Sequence, residues 1–288
     1  MNGNLKLAIQ KSGRLTEKSL QLLRTCGLDI ENYKDRLIVS ARNFNLDLLF
    51  LRDDDIPEYV QDGVADIGIV GEDVIIEKDA DVELIKKLSY GKCRLMLAGP
   101  EDGNIPELIQ LNGKRIATSY PKILSDFLRN NKIDAKVIQI SGSVEIAPSL
   151  GIADYICDIV STGNTLKLNK LKKFTTVFES EAVLIGTKNI ERDSEKYTGL
   201  KNLISRIESA LNAKNSKYLM MNIPKNQLEK IREIIPSLSS PTILPLADES
   251  MLAIHAVIPS DKFWEIQQDL INTGASGILL IPIENMIL

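Results

Sequence analysis

The sequence predicts an α/β protein: two α/β lobes facing across a cleft, then a smaller C-terminal domain of βαββαβ, ferredoxin-like order. Three observations predict it. Short apolar, β-rich runs alternate with helical patterns up to about residue 190. Two stretches within that region echo one another. After residue 217 the order of elements changes.

Residues 5–9 read as a strand, and Leu15, Ser19, Leu22, Leu23 and Cys26 then share one helical face that Gly27 ends. Residues 36–40 and 46–51 are strands. Asp55-Ile56-Pro57-Glu58 starts a helix, with Asp55 as cap and Pro in the first turn, and 65–70 is a strand closed by Gly71. A second unit begins near Cys93, with strands over 93–98, 114–118, 135–140 and 154–160. Within it, Ser119 caps a helix that opens at Pro121 and runs to about Asn130. Gly63-Val64-Ala65-Asp66 and Gly151-Ile152-Ala153-Asp154 each lead into an apolar strand. That echo is either chance likeness between short βα units or the mark of two similar lobes around a ligand cleft. Strands over 176–178 and 182–187 are candidates to cross back. The first lobe is thus 1–92 with about 176–200, and the second is 93–175.

A helical pattern over 194–213 links to the last domain, 215–288. There, strands over 218–223, 242–246, 252–258 and 277–283 alternate with helices over 226–235 and 260–272, the second capped by Ser260.

Composition excludes several classes. At 288 residues, two or three domains are expected. The 35 Lys plus Arg against 39 Asp plus Glu give a net charge of −4, so no global field draws in nucleic acid or anionic membrane. Any phosphate must be held by local backbone donors, a few cations or a metal. The single histidine, His255, cannot make a multi-His zinc site and would have to be the base of any Ser-His or Cys-His mechanism. Its place in an alternating apolar run makes it a strand residue. Cys26, Cys93 and Cys157 are isolated and odd in number, which argues against disulfides and for a reduced, cytoplasmic setting. The first nine residues hold too short an apolar run for a signal peptide, and no run approaches the ~20 apolar residues of a membrane span.

The segment 158–166 is the richest in chemistry. A strand ends in Ser161, Thr162, Gly163, Asn164 and Thr165, followed by a helix start. Backbone N–H groups and hydroxyls there suit an anion, and Gly163 allows close approach. It is either a phosphate loop or a Ser/Thr helix cap; it matches neither a P-loop nor a dinucleotide fingerprint. Asp154 and Asp158, four apart on one strand, project from the same face. Either a sugar diol or hydrated Mg²⁺ relieves them, or one is solvated and the other sits in a turn. Lys11-Ser12-Gly13-Arg14 follows the first strand, at the end of the sheet where open α/β folds bind ligands, though taken alone a solvated turn is the plainer reading. Arg52-Asp53-Asp54-Asp55 ends another strand. Asp55 as a cap explains one carboxylate and leaves Arg52 and Asp54 as ligand candidates.

Taken jointly, Lys11-Ser12-Gly13-Arg14-Leu15, Arg52 to Pro57, Gly113 to Pro121, Gly142-Ser143-Val144-Glu145, Asp158 to Leu166, Ser240 to Leu246 and Gly274-Ala275 resemble the ATP phosphoribosyltransferase family in its long form. The likeness covers essentially the whole chain. It implies two periplasmic-binding-protein-like lobes, a regulatory ACT-like domain, and transfer of 5-phosphoribosyl from phosphoribosyl pyrophosphate to N1 of ATP, with Mg²⁺. It further implies L-histidine as inhibitor and a homo-oligomer, dimer to hexamer. On this resemblance Asp158, Glu145 and Lys11 are the catalytic candidates. Ser161, Thr162, Gly163, Asn164 and Thr165, with Asp154 and Asp158, take the phosphoribosyl donor. Lys11, Gly13, Arg14, Arg52, Asp54 and Tyr120 take ATP. Asp154 and Asp158 are the metal candidates, Mg²⁺ being held mainly through pyrophosphate. Asn222, Thr242, Leu246 and Ala275 take histidine. Two rival readings are a two-lobed binder of small anions and a non-catalytic regulatory subunit.

Overall fold

A computed structural model describes residues 3–31, 36–102, 106–160, 164–188, 190–191 and 194–288. The chain forms two compact units, Met1–Leu20 with Ile30–Tyr197, and Gln21–Asp29 with Thr198–Leu288.

The first unit begins with β1 (Leu5–Gln10), the first half of α1 (Thr16–Thr25), β2 (Ile38–Ser40), β3 (Leu46–Leu51), α2 (Ile56–Gln61), β4 (Ile67–Gly71), α3 (Glu72–Lys78) and β5 (Glu83–Lys87). It continues with β6 (Cys93–Pro100), β7 (Arg115–Thr118), α4 (Pro121–Asn130), β8 (Lys136–Gln139), β9 (Tyr155–Val160), α5 (Asn164–Leu168), β10 (Leu171–Ser180) and β11 (Ala182–Gly186). Two sheets result, ordered β2-β3-β1-β4-β11-β5 and β10-β6-β9-β7-β8. In the first, β1 runs parallel to β3 and β4, and β11 is antiparallel to both its neighbours. In the second, β7 runs parallel to β8 and β9, and β6 is antiparallel to both its neighbours. Leu7, Ala8 and Ile9 of β1 are fully buried, as strands covered on both faces must be.

Each antiparallel strand, β6 and β11, arrives from the other lobe. The expected crossing at 176–178 is corrected by the ladder. Those residues lie in β10, which pairs with β6 from Leu171↔Pro100 to Ser180↔Cys93, and Phe174, Val177 and Phe178 pack on the second lobe's core. The chain crosses back only at Glu181. The two crossings are bonded together, Leu88 N–H to the Ala182 carbonyl and Ala182 N–H to the Tyr90 carbonyl, both at 2.9 Å. Gly91 sits there at φ +67°, where a Cβ would run into the Leu15 side chain.

The echo between the lobes is structural. Asp66 Oδ2 accepts from Lys6 N at 2.8 Å, and Asp154 Oδ2 accepts from Arg115 N at 2.8 Å. In return Asp66 N–H donates to the Lys6 carbonyl and Asp154 N–H to the Arg115 carbonyl. Each aspartate thus clamps a parallel strand of its own lobe, Asp66 holding β1 and Asp154 holding β7.

After α6 (Glu195–Lys214), the C-terminal domain runs β12 (Ser216–Pro224), α7 (Leu228–Ile234), β13 (Thr242–Pro245), β14 (Met251–Pro259), α8 (Phe263–Asn272) and β15 (Ser276–Pro282). Its sheet, β13-β14-β12-β15, is wholly antiparallel, the order a βαββαβ chain gives. Leu219, Met221, Ile223, Ile254, Ile258 and Leu270 fill its core. His255 is a strand residue on the opposite face, its Nδ1 3.1 Å from the Tyr218 hydroxyl.

Three expected caps are corrected. Asp55 precedes α2 without a side-chain cap bond. Ser119 Oγ donates to the Ile140 carbonyl at 2.7 Å instead of capping α4. Ser260 Oγ is buried without a partner among the described residues, and α8 begins only at Phe263.

Asp154 makes a testable case. Arg115 hydrogen bonds, side chain then backbone, hold its carboxyl below the usual carboxylate range. Asp154→Ala should cost about 1 kcal/mol in urea unfolding at neutral pH, and leave substrate Michaelis constants unchanged. Because the folded value is the depressed one, the stabilisation is full above the ordinary carboxylate range. It fades as pH falls through the depressed value, so the gap between the two proteins should close in acid.

Candidate functional site

The carboxyl ends of the parallel strands in both sheets supply the candidate residues. In the first lobe these are the turns after β1, β3 and β4; in the second, those after β7, β8 and β9. Between the lobes lies a cavity of about 500 Å³ bordered by Cys93, Met96, Val160, Lys173, Ser180 and Glu181.

Lys11 and Arg14 follow β1. Lys11 is exposed, its backbone N–H donating to the Leu51 carbonyl at 2.7 Å. Gly13 lies at φ +141°, and a Cβ there would meet the Gln10 side chain at 2.6 Å, the side chain that accepts from Leu15 N. Arg14 is half-exposed, with Nη2 3.9 Å from Oδ2 of the buried Asp73. Arg52 and Asp54 are exposed at the end of β3, where a 3-10 turn, Asp53–Asp55, leads into α2.

On the second lobe, Tyr120 is partly buried just before α4. Burial, and then the Asp73 charge, push its phenol up. Its neutral hydroxyl and ring suit a flat ligand better than an anion. Asp158, partly buried near the end of β9, accepts from Ile159 N at 2.7 Å. Burial raises its pKa, the Ile159 bond opposes that, and the Glu145 charge adds to it. Glu145 lies in the turn Val144–Ile146 after β8, so the structure brings it electrostatically into range of Asp158. Ser161, Thr162 and Gly163 lie outside the described residues. Asn164 opens α5, and Thr165, exposed, lends its carbonyl to Asn169.

Asp154 is not brought to this site. It precedes β9, at the amino end of the sheet, ion-paired to Arg115 at 3.0 Å. Strand parity puts it on the face of Asp158 but leaves the two roughly 13 Å apart at ~3.3 Å per residue. It holds the fold, and neither metal nor ribose is assigned to it.

Sequence reasoning missed the turn after β4. Glu72 ion-pairs Lys87 at 2.9 Å, Asp73 accepts from Ser180 at 2.5 Å, and Glu77 of α3 accepts from Lys122 N and Ile123 N at 2.9 and 3.1 Å. Glu77 thereby caps α4 of the other lobe, and Lys122 Nζ reaches Asp79 at 3.1 Å. The signal was present: Gly71-Glu72-Asp73 ends a buried parallel strand, as the loops after β1 and β3 do.

In the C-terminal unit, Asn222 is paired with Ala253 and with Ser276, beside the Gly274-Ala275 turn. Thr242 opens β13 opposite His255, two positions further along the sheet, and Leu246 follows β13. Ala275 packs against that unit's core.

A two-lobed α/β unit with facing strand ends, followed by a ferredoxin-like domain, defines a class of two-lobed α/β proteins with an appended βαββαβ domain. Comparison makes it particular. The family model HisG: ATP phosphoribosyltransferase matches residues 52–209, and the model HisG, C-terminal domain, matches 213–285. An ATP phosphoribosyltransferase of Bacteroides thetaiotaomicron is 48% identical over 283 residues, 98% of this chain and 99% of that protein. One from Cytophaga hutchinsonii is 47% identical over 287 residues, 100% of both. The ATP phosphoribosyl transferase (HisG:HisZ) complex from Thermotoga maritima aligns with TM-score 0.59 and 33% identity, covering 71% of this chain and 98% of that one. The chain belongs to the ATP phosphoribosyltransferase family, in its long form. The matches favour this over a solute binder or a silent regulatory subunit.

Glu145→Gln should shift the Asp158 titration, followed by carboxyl-carbon NMR in metal-free protein, toward lower pH. Removing a like charge favours the ionised form. An unmoved titration would show that the two carboxylates do not share a site.

Proposed function

We propose that the chain transfers 5-phosphoribosyl from phosphoribosyl pyrophosphate to N1 of ATP, releasing pyrophosphate, in the cleft between the two lobes. The observation that carries this is the convergence of Arg14, Tyr120, Glu145 and Asp158 at the facing strand ends of a chain from this family. The lone pair on adenine N1 forms the new bond to the anomeric carbon as the bond to pyrophosphate breaks. Positive charge passes to the exocyclic amine, which afterwards releases a proton to water. No general base is needed to start, so a chain with one histidine, placed on a C-terminal strand, is adequate.

The protein's tasks are positioning and charge stabilisation. In our reading residues 161–165 cradle the 5′-phosphate, and Asp158 meets the ribose hydroxyls and the cationic character developing on the ring. Lys11, Arg14 and Arg52 face the ATP polyphosphate, with Gly13 and Asp54 shaping that side, and Tyr120 lies against adenine. Asp158 and Glu145 are an all-oxygen pair of carboxylates, a donor set that fits Mg²⁺ held partly by substrate phosphates. Bound there, Mg²⁺ would neutralise charge on the departing pyrophosphate.

We further assign Asn222, Thr242, Leu246 and Ala275 to an L-histidine effector site in a homo-oligomer, dimer to hexamer. The open sheet face that carries Asn222 and Thr242 supports this reading. Three buried, unbridged cysteines suit the cytoplasm, and no helix among the described residues is long and apolar enough to cross a membrane.

Pyrophosphate release should require ATP, phosphoribosyl pyrophosphate and Mg²⁺ together, and free histidine should lower it. Tight binding of both ligands without turnover in folded protein would overturn the reading. Thr162→Asp places a negative charge in the phosphate loop and should raise the Michaelis constant for the phosphoribosyl donor at least tenfold. An unchanged constant would reject that loop.

A further inference from the structure

Asp73 is a carboxylate that the reaction just described leaves without a task. It lies two residues beyond β4 and is 2% exposed. Burying a carboxylate costs several kcal/mol unless partners replace its water. The Ser180 hydroxyl gives its one proton to Oδ1 at 2.5 Å, and Asp73 N–H donates to the same hydroxyl oxygen at 3.1 Å. Among the described residues, the Arg14 guanidinium is the one cation paired with Asp73, at Oδ2. Burial pushes the Cys93 thiol up, and the nearby Arg14 charge opposes that. The turn after β4 and the end of β10 therefore meet at the carboxylate that faces this arginine. The Arg14 side chain is still 47% exposed.

That arrangement resembles the back of a binding site more than a surface ion pair. A free arginine loses rotamer entropy when a ligand immobilises it. One drawn to a buried charge at 3.9 Å, an ion pair without a hydrogen bond, keeps its N–H groups free for a ligand and is biased in direction before the ligand arrives. We propose that Asp73 is a positioning residue, which through its contact with Arg14 orients that guanidinium toward the triphosphate of ATP. This rests on the assignment of Arg14 to ATP made above. Lys11, in the same turn, has no carboxylate behind it among the described residues and serves as an internal control.

The test is steady-state pyrophosphate release by wild type, Asp73→Asn, Arg14→Ala, Lys11→Ala and the doubles Asp73→Asn/Arg14→Ala and Asp73→Asn/Lys11→Ala, with urea midpoints for each. Asp73→Asn should raise the Michaelis constant for ATP about tenfold, with that for phosphoribosyl pyrophosphate unchanged. It should add nothing in the Arg14→Ala background and multiply fully with Lys11→Ala, a pattern that lost stability alone does not produce. An unchanged constant for ATP, equal changes for both substrates, or full multiplication with Arg14→Ala would overturn the proposal. Should Asp73→Asn not fold, Ser180→Ala carries the same test. It frees Oδ1 and should raise the ATP constant about threefold, with no effect once Arg14 is absent. Wild type lacking release that depends on both substrates would refute the function itself, an outcome separate from any of these.

Discussion

The two crossings between the lobes, at 88–92 and at Glu181, are the constraint from which the rest of the first unit follows. Two backbone hydrogen bonds at 2.9 Å bind them to each other, so neither segment can move without the other. Because each crossing delivers an antiparallel strand into the neighbouring sheet, both sheets end their parallel strands toward the same space. Backbone N–H groups, hydroxyls and charged side chains gather where strand ends meet. Two polyanionic substrates and a chain of net charge −4 then coexist, because the attraction is local.

That geometry also explains the division of labour among the aspartates. Asp66 and Asp154, at the amino ends, are spent on backbone donors and hold β1 and β7 in place. Asp73 and Asp158, at the carboxyl ends, are buried against neighbours that shift or orient charge. One residue type performs opposite duties according to which end of the strand it occupies.

Much of this was legible in the sequence, and the failures have physical reasons. Apolar runs such as 5–9 and 182–187 announce buried strands because water exclusion acts on each residue locally. The Gly-x-Ala-Asp echo was readable because both copies solve the same backbone problem. By contrast, Ser119 and Ser260 look like caps only when the chain is read locally; α4 is capped by Glu77, more than forty residues earlier. Strand β5 went unread because Glu83–Lys87 lies at a sheet edge and exposes much of its surface, which leaves no clear period. Asp154 was misplaced because side-chain parity reports a face and says nothing about distance along the strand. Asp73 shows its role only once Ser180, from a distant strand, stands beside it.

The Glu77 cap has a dynamic consequence. A helix cap is worth about 1 kcal/mol, less than twice the thermal energy at room temperature. Parting α3 from α4 hands two backbone N–H groups and a carboxylate back to water, and also gives up the Lys122–Asp79 pair and the packing of Ile76 on the second lobe. The lobes are thus held twice, by a side-chain join at α3 and α4 that contains no strand ladder and by the hydrogen-bonded backbone of the two crossings.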